Sequence, residues 1–491
     1  MKRKSFRTLS CLLMLAVLLL TATAGAESLP YTPYNYDYWG NTVYTPAAYV
    51  PGETLSGAGL TWNGQPLGDF KTPQDLFVSD DGDIYVADTG KNRIVVIDPK
   101  TRSVKNVVDT YEDSGAQQTF NAPYGVAVTA KGELYIADSN NHRIVALNPD
   151  GSLLKVIENP QAEVLDDAFV FIPLKVCVDY ADRVYCIARN MFEGIMVFES
   201  NGAFTGFFGT INVKISLWEK FWKKFSTKEE RSKQQLYIAT EFTGIDVDDE
   251  GFVYASNVDT EGLQAVRRLN PRGQDVIRKG PGQNLGGDLN IGATASTYGG
   301  PSMIRDVAYR GHGIYSLLDT RRGRVFTYDH EGNLLYIFGG LGTQTGTFTI
   351  PVAIDCLDDA LLVLDANRAT ITTFDVTEYG RLINEAVALR HDGDETEAVA
   401  LWQQVLTMDQ NNELANTGIG KAYLTAGDDA QAMDYLKRGM NREYYSVAFK
   451  RLRNDVLKDR LELILTGVVV LGAGIALFVR LRKKRKGGEK E

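Results

Sequence analysis

The sequence predicts an all-β six-bladed propeller, followed by a small α-helical module and one transmembrane helix. Three patterns indicate this: a β-repeat of about 50 residues, a change to helical periodicity near residue 380, and an apolar run near the C-terminus. Alternating apolar residues broken by Gly, Asn and Asp are typical of antiparallel strands joined by tight turns. A sheet with two apolar faces needs copies of itself to cover them, so the repeat predicts a closed ring of blades.

Most units open with a proline before the first apolar strand, and these prolines stand 50 residues apart within two groups. A sixth unit without the proline begins near residue 241. Six blades therefore fit residues 51–378. The last unit lacks a fourth strand, so we predict that the segment from about 44 to 70 supplies it and closes the ring. The opening prolines are Pro73, Pro123, Pro173, Pro301 and Pro351.

Two units carry a family signature after their second strand. DTGKNRIVVID (88–98) and DSNNHRIVALN (138–148) each begin with the Asp that ends the second strand, YVAD or YIAD. These segments resemble the NHL repeat, a family of propeller blades, and the resemblance implies a role in molecular interaction. In that family an Asp and an Arg support the turn between the second and third strands. The pairs implied here are Asp88 with Arg93, Asp138 with Arg143, and Asp319 with Arg324.

Both ends of the chain carry membrane signals. Residues 1–26 have a basic start, an apolar core and a small-residue cleavage site, which predicts a signal peptide. Residues 461–480 are the predicted transmembrane helix, since Leu463–Val479 is almost wholly apolar over 17 residues. The basic tail, 481–491, favours a stop-transfer signal over a buried core helix and stays cytoplasmic. The body of a cell-membrane, single-pass protein would then be extracellular.

The exported body is strongly acidic. The whole chain carries −10, and the body carries −19 once the signal's four basic residues and the tail from Arg480, which is net +5, are removed. Such a charge argues against nucleic acid as a partner, because the phosphate backbone is bound by basic surfaces. It is compatible with cationic partners or with solubility alone.

Residues 27–50 form an arm rich in tyrosine and proline. Proline disfavours a helix or a central strand, so we expect an extended segment. The arm could lie along the propeller and cover its surface, which is the interpretation we favour. Alternatively, its rings could form an aromatic platform for a sugar or a peptide.

An insertion at 211–237 separates the third and fourth units. Four aromatic residues in it fall on one face of a predicted amphipathic helix, with lysines on the other faces. This helix could contact a membrane interface or a partner, or pack back onto the propeller. The aromatic residues are Trp218, Phe221, Trp222 and Phe225.

Residues 380–460 contain two predicted helix pairs, with turns at 392–394 and 426–428. The segment AYLTAGDDAQAMDYLKRGM resembles a tetratricopeptide repeat, as does LRHDGDETEAVALWQQVLTMDQNN. Such repeats offer a concave protein-binding groove, although two are fewer than the three usually needed. The module could therefore bind a partner or serve as a stalk.

The channel mouth is the first place to look for a ligand. Asp75, Lys175 and Asp306 occupy the start of three inner strands, where side chains should face the channel. They could hold a small ligand or Ca²⁺, or form an internal salt bridge, which we favour. The chain has only four histidines, at non-equivalent positions, so the sequence does not favour a histidine-based metal site. Neither a GxSxG elbow nor a phosphate loop is present.

Cys177 and Cys186 stand on the two arms of a predicted hairpin. A disulfide between them is compatible with an extracytoplasmic location, and buried free thiols are the alternative.

Taken together, the sequence predicts a membrane-anchored extracytoplasmic binding or scaffold protein with a protein or glycan partner, accessory to a transport or cell-envelope system. A cell-surface propeller hydrolase or lyase, similar to lactonases, is the alternative.

Overall fold

The computed structural model describes residues 29–165, 169–209, 241–259, 264–280, 285–288 and 302–487. The predicted signal peptide and the aromatic insertion lie outside the described residues. The described chain divides into two compact units. One holds the residues up to Arg381 apart from Asp37–Gly40, and the other holds Asp37–Gly40 and the residues from Leu382 onward.

The first unit is built from strands joined by tight turns. Those before the first blade are β1 (Tyr34–Tyr36), β2 (Thr42–Tyr44), β3 (Tyr49–Ser56), β4 (Thr61–Trp62) and β5 (Gln65–Pro66). Blade one is β6 (Asp75–Val78), β7 (Ile84–Asp88), β8 (Arg93–Asp98) and β9 (Ser103–Val108), and a hairpin, β10 (Thr110–Asp113) and β11 (Ala116–Thr119), follows it. Blade two is β12 (Pro123–Val128), β13 (Leu134–Asp138), β14 (Arg143–Leu147) and β15 (Leu153–Ile157).

The remaining blades repeat this order. Blade three is β16 (Pro173–Val178), β17 (Val184–Ala188), β18 (Ile195–Phe198) and β19 (Phe204–Phe208). The described strands of blade four are β20 (Phe242–Val247), β21 (Val253–Asn257) and β22 (Val266–Leu269). Blade five is β23 (Ile304–Tyr309), β24 (Tyr315–Asp319), β25 (Arg324–Tyr328) and β26 (Leu334–Gly339). Blade six begins with β27 (Pro351–Leu357), β28 (Ala360–Asp365) and β29 (Thr370–Val376).

The blades form a closed ring, which confirms the predicted six-bladed propeller. The innermost strands contact one another in the order β6, β12, β16, β20, β23 and β27, and β27 contacts β6 again. Within each blade the strands are antiparallel neighbours in chain order. Apolar side chains on both sheet faces are buried against the adjacent blade, so the core is distributed among the seams between blades.

The ring closes through the N-terminal segment, as the sequence predicts. β3 pairs antiparallel with β29, with Tyr49 opposite Val376 and Ser56 opposite Thr370. Blade six thereby obtains its fourth strand from the opposite end of the propeller sequence. This pairing satisfies the backbone groups of an edge that would otherwise stay open.

The arm adds strands to the outer edge of blade five. β1 pairs with β26, and β2 pairs with β1. Behind this edge lies the buried carboxylate of Asp288, which accepts hydrogen bonds from the hydroxyls of Tyr34, at 3.0 Å, and Tyr36. This geometry supports the interpretation of the arm as a segment laid along the propeller. Trp39 and Tyr44 nevertheless remain largely exposed.

The helices are α1 (Glu378–Asp392), α2 (Glu395–Met408), α3 (Glu413–Ala426), α4 (Asp429–Arg438) and α5 (Arg442–Gly487). Two glycines let α3 approach its neighbours closely. A Cβ atom at Gly418 would lie 2.5 Å from the indole nitrogen of Trp402, and one at Gly420 would lie 2.6 Å from Leu436. Helices α2 to α5 thus pack consecutively, an arrangement that only loosely supports the tetratricopeptide-like prediction.

Helix α5 is long and apolar enough to cross a membrane. Its Arg442–Arg482 segment contains an 18-residue window with a mean hydropathy of 2.3, and none of that window is buried against the described chain. Its length and composition therefore allow it to span a membrane. It is the one candidate span among the residues that the structure describes.

Candidate functional site

The inner strands place the three predicted channel residues at equivalent positions. Lys175 lies opposite Ile187 and Asp306 lies opposite Leu318, each two residues after the start of its strand. Asp75 is the first residue of β6, opposite Ala87. The repeat register thus explains why residues 100 and 131 positions apart meet at one level of the channel.

These three side chains form a buried salt bridge. The Lys175 ammonium donates to Asp306 Oδ2 at 3.0 Å and to Asp75 Oδ1. All three residues are at most 5% exposed. Each carboxylate also accepts a backbone amide of the next blade: Val126 N donates to Asp75 Oδ2 at 3.0 Å, and Ile354 N donates to Asp306 Oδ2 at 3.1 Å.

Burial and mutual charge shape the ionisation of this cluster. Burial raises the pKa of Asp75 to about 6, although Lys175 opposes the shift. Burial likewise raises the pKa of Asp306. Burial by itself would lower the pKa of Lys175, but the two carboxylates raise it above its ordinary value. The ammonium is therefore held in its charged form between the two carboxylates.

This geometry favours the internal salt bridge over a cation site. Ca²⁺ takes six to eight oxygen ligands. Here two carboxylates share an ammonium, and each also accepts a backbone amide of the next blade. A Ca²⁺-binding role for these residues stays a prediction. A ligand-binding role for Asp75, Lys175 and Asp306 stays a prediction.

A second acidic layer lies one pleat further along two inner strands. Asp246 follows Gly244 by two residues and Asp355 follows Ala353 by two, so each shares the channel-facing side of its strand. Asp246 Oδ2 accepts Tyr309 N at 2.6 Å, and Asp355 Oδ2 accepts Val78 N at 2.7 Å.

Burial raises the pKa of both carboxyl groups in this layer, and that of Asp246 reaches about 7. Asp246 and Asp355 lie two residues beyond the single channel position predicted on each inner strand, so they are not among the residues predicted from the sequence. Extending the same register by two residues would have found them. Four seams between blades are thus bridged by a carboxylate and an amide, through Asp75, Asp246, Asp306 and Asp355.

Glycine occupies the equivalent position where neighbouring strands come closest. A Cβ atom at Gly125 would lie 2.5 Å from the carbonyl oxygen of Leu174, and one at Gly244 would collide with Asp306. Any larger residue would push the inner strands apart. The mixture of glycine, carboxylate and lysine at this level is therefore explained by packing and charge in the seams.

Two of the turn-supporting pairs implied by the NHL resemblance are present. Arg93 Nε donates to Asp88 at 2.8 Å, and Arg143 Nε donates to Asp138 at 2.9 Å. Both carboxylates also accept the backbone amide of the segment that leads into the blade, at Lys71 and Asn121.

The third implied pair, Asp319 with Arg324, is not among the ion pairs found in the described part of blade five. Arg324 lies opposite Asp319 in the strand register, but its guanidinium pairs with Asp288 and with the Tyr34 hydroxyl. The side chain is diverted because the arm and Asp288 cover the outer edge of blade five. Arg322 approaches Asp319 instead, at 3.5 Å.

The cysteine pair does not form a disulfide in the structure. Cys177 and Cys186 are buried free thiols. Cys177 lies opposite Tyr185, and Cys186 lies opposite Val176. Since this offset of one residue puts the two side chains on opposite sheet faces, each thiol packs in a different apolar cluster.

The aromatic residues proposed for partner or membrane contact lie outside the described residues, so their role stays a prediction. They are Trp218, Phe221, Trp222 and Phe225.

Comparisons with known proteins support the blade assignment. The family model described as "NHL repeat" matches residues 70–97 and 120–152, which correspond to blades one and two. A search of curated proteins found no match.

Several solved structures match this chain at low similarity. A virginiamycin B lyase from Staphylococcus aureus is 11% identical, covers 66% of this chain and 99% of its own, and has a TM-score of 0.41. A streptogramin B lyase is 13% identical, covers 71% and 95%, and scores 0.39. A Bacteroides thetaiotaomicron protein of unknown function is 14% identical, covers 69% and 80%, and scores 0.43. Similarity this distant carries no argument about activity or ligand. The chain is therefore a six-bladed β-propeller that carries NHL repeats in its first two blades.

Proposed function

We propose that this protein is a membrane-anchored, extracytoplasmic binding or scaffold protein. Its propeller and its helical module bind a protein or glycan partner, and the complex serves a transport or cell-envelope system. The observation that carries this proposal is helix α5, whose apolar window is wholly exposed and ends in a basic tail. NHL-type propellers are suited to interaction, and an anchored propeller presents its faces to partners near the membrane.

The central carboxylates of the channel are engaged in contacts within the propeller. In the described part of the propeller, the central carboxylates bond to Lys175 or to backbone amides. A general base or nucleophile needs a side chain that can reach the substrate. The hydrolase or lyase alternative therefore has no observation in its favour at this cluster.

Fractionation and protease accessibility test the anchoring. We expect the full chain in the membrane fraction of a bacterial host, and the chain lacking residues 463–487 in the soluble exported fraction. Protease added to intact spheroplasts should digest the propeller and spare a tag after residue 491. Replacing Leu463–Val479 by leucines is the matched control, because it keeps the apolar length and should keep the anchor. A soluble full chain, or a propeller protected from protease, would contradict the proposal.

Cross-linking in intact cells tests the binding role. Anchored protein should give a defined cross-linked partner that is lost when the propeller alone is replaced by an unrelated exported domain. If the same partner persists after that replacement, the propeller is not its binding module.

A further inference from the structure

Five inner strands are irregular just before the channel position, and their bulged residues form a ring around the channel. In five blades the register shifts between the first strand residue and the channel position, which leaves one bulged residue. Bulges of this kind re-aim side chains and are common next to binding sites. The bulged residues are Tyr124, Leu174, Thr243, Arg305 and Val352, and Gln74 precedes Asp75 in blade one.

A cavity of about 380 Å³ opens beside this ring, on the side formed by blades one, five and six. Its size is at the lower end of the range for small-ligand pockets. Blade six contributes an apolar wall of Ile350, Val352 and Ala366. The other lining residues are polar: Thr72, Gln74, Arg305, Thr320 and Asn367.

Arg305 is the charged group of this cavity. Its Nη2 donates to the Tyr124 hydroxyl at 2.9 Å, so side chains from blades two and five meet across the mouth. In the portion of the chain that the structure describes, Arg305 forms no ion pair. The carboxylates of Asp75 and Asp306 beneath it are already paired with Lys175.

An arginine oriented in this way is suited to a carboxylate. The guanidinium presents five donors in a planar fork that matches two carboxylate oxygens. Holding one edge on Tyr124 lowers the entropy lost when the ligand binds. The adjacent apolar wall would take the group attached to the carboxylate, because burial of that group removes apolar surface from water.

We propose that this cavity binds a carboxylate attached to a small apolar group, with Arg305 as the anion-binding residue. The proposal deepens the proposed binding function and rests on it only in treating the propeller as the binding module. A free branched carboxylic acid and the C-terminus of a peptide share this chemistry.

Isothermal titration calorimetry on the full chain in detergent micelles tests the site. The probes are 4-methylpentanoate, N-acetyl-leucine and the uncharged N-acetyl-leucinamide. Both acids should bind, and the amide should bind about ten- to a hundredfold more weakly, because it lacks the charge-assisted bond. Tighter binding of 4-methylpentanoate indicates a free acid as the natural ligand, and tighter binding of N-acetyl-leucine indicates a peptide terminus.

Substitutions test whether Arg305 is the anion-binding residue. Arg305→Gln should weaken binding of the acids about ten- to a hundredfold. Arg305→Lys keeps the charge without the fork and should lose less. Arg272→Gln changes an exposed arginine in a blade-four turn and is the matched control, which should bind like the wild type.

The proposal is overturned if wild-type protein binds neither acid at millimolar concentration, if the amide binds as well as the acids, or if Arg305→Gln binds like the wild type. Should Arg305→Gln fail to fold, Arg305→Lys and Tyr124→Phe carry the same test. Membrane anchoring is measured separately, so a failure there leaves this result unaffected.

Discussion

A few charged residues meet at the centre of the propeller. Lys175 is the shared partner of Asp75 and Asp306, and each of the two carboxylates also bonds to the backbone of the next blade. Buried pairs of this kind are costly to desolvate, so they contribute little net stability compared with an apolar replacement. Removing one partner of the salt bridge costs more stability, because it leaves an uncompensated buried charge.

Replacing Lys175 with methionine should destabilise the protein by about 3–5 kcal/mol. The substitution removes the one ammonium that the structure places between Asp75 and Asp306. Urea unfolding of the full chain in micelles measures the loss. The triple variant Asp75→Asn, Lys175→Met, Asp306→Asn is the control and should recover most of it. A single variant with wild-type stability would show that the cluster is not energetically coupled.

The acidic layer predicts a pH dependence. Burial raises the pKa of Asp246 from 3.8 to about 7, with Asp248 and Asp306 nearby. Because the folded state binds the proton more tightly than the unfolded chain, this contribution to stability is fully present below about pH 4. It is lost as the pH rises through about 7.

Asp246→Asn should therefore flatten the decline in stability between about pH 4 and pH 7. Thermal unfolding midpoints across this range give the slope for the wild type and the variant. Asp249→Asn, in the exposed turn that follows β20, is the control and should keep the wild-type slope. Parallel curves for the wild type and Asp246→Asn would show that Asp246 is not the titrating group.

Among the elements, the N-terminal arm is held in place partly by the buried carboxylate of Asp288. Asp288 accepts from Tyr34 and Tyr36 and pairs with Arg324. The arginine also lies over the Tyr34 ring, with its Cζ 4.8 Å from the ring centroid. The arm is thus held by charge-assisted hydrogen bonds and ring contacts as well as by strand pairing.

The double variant Tyr34→Phe, Tyr36→Phe should loosen β1 and β2 without unfolding the propeller. Each lost hydrogen bond to a charged group is worth about 1.5–3 kcal/mol. Hydrogen exchange of the arm amides should accelerate accordingly, while exchange in blade two stays unchanged. Tyr44→Phe, which alters an exposed ring, is the control. Unchanged protection in the double variant would assign the arm's position to strand pairing alone.

For the whole molecule, the decisive contact joins the two ends of the propeller sequence. β3 supplies the fourth strand of blade six and pairs with β29 along its length. The ring is therefore closed by residues more than 300 positions apart in the chain. Such a non-local closure makes the propeller cooperative, because an open ring exposes both an edge strand and an apolar blade face.

Deleting residues 29–56 should open the ring and cause association through the exposed edge of β29. Size-exclusion chromatography with light scattering in micelles distinguishes monomer from aggregate. Deleting only residues 29–46 removes β1 and β2 but keeps β3, so this control should remain monodisperse. Monodisperse protein from the longer deletion would show that β3 is dispensable for closure.

The sequence alone determined the six blades, the closing strand, the candidate membrane helix and the level of the channel where Asp75, Lys175 and Asp306 meet. These follow from periodicity, turn residues and repeat register, which are local or additive properties of the chain. Proline spacing aligned the units well enough to predict one residue per inner strand. The strand pattern also predicted that Cys177 and Cys186 lie on one hairpin.

What those residues contact depends on the tertiary structure. Cys177 and Cys186 face different seams, Arg324 turns to Asp288 from a distant segment, and Arg305 meets Tyr124 across the mouth. Each of these outcomes depends on which side chains other blades bring within a few ångströms. Local pattern carries no information about such contacts, because they are set by packing between segments that are remote in sequence.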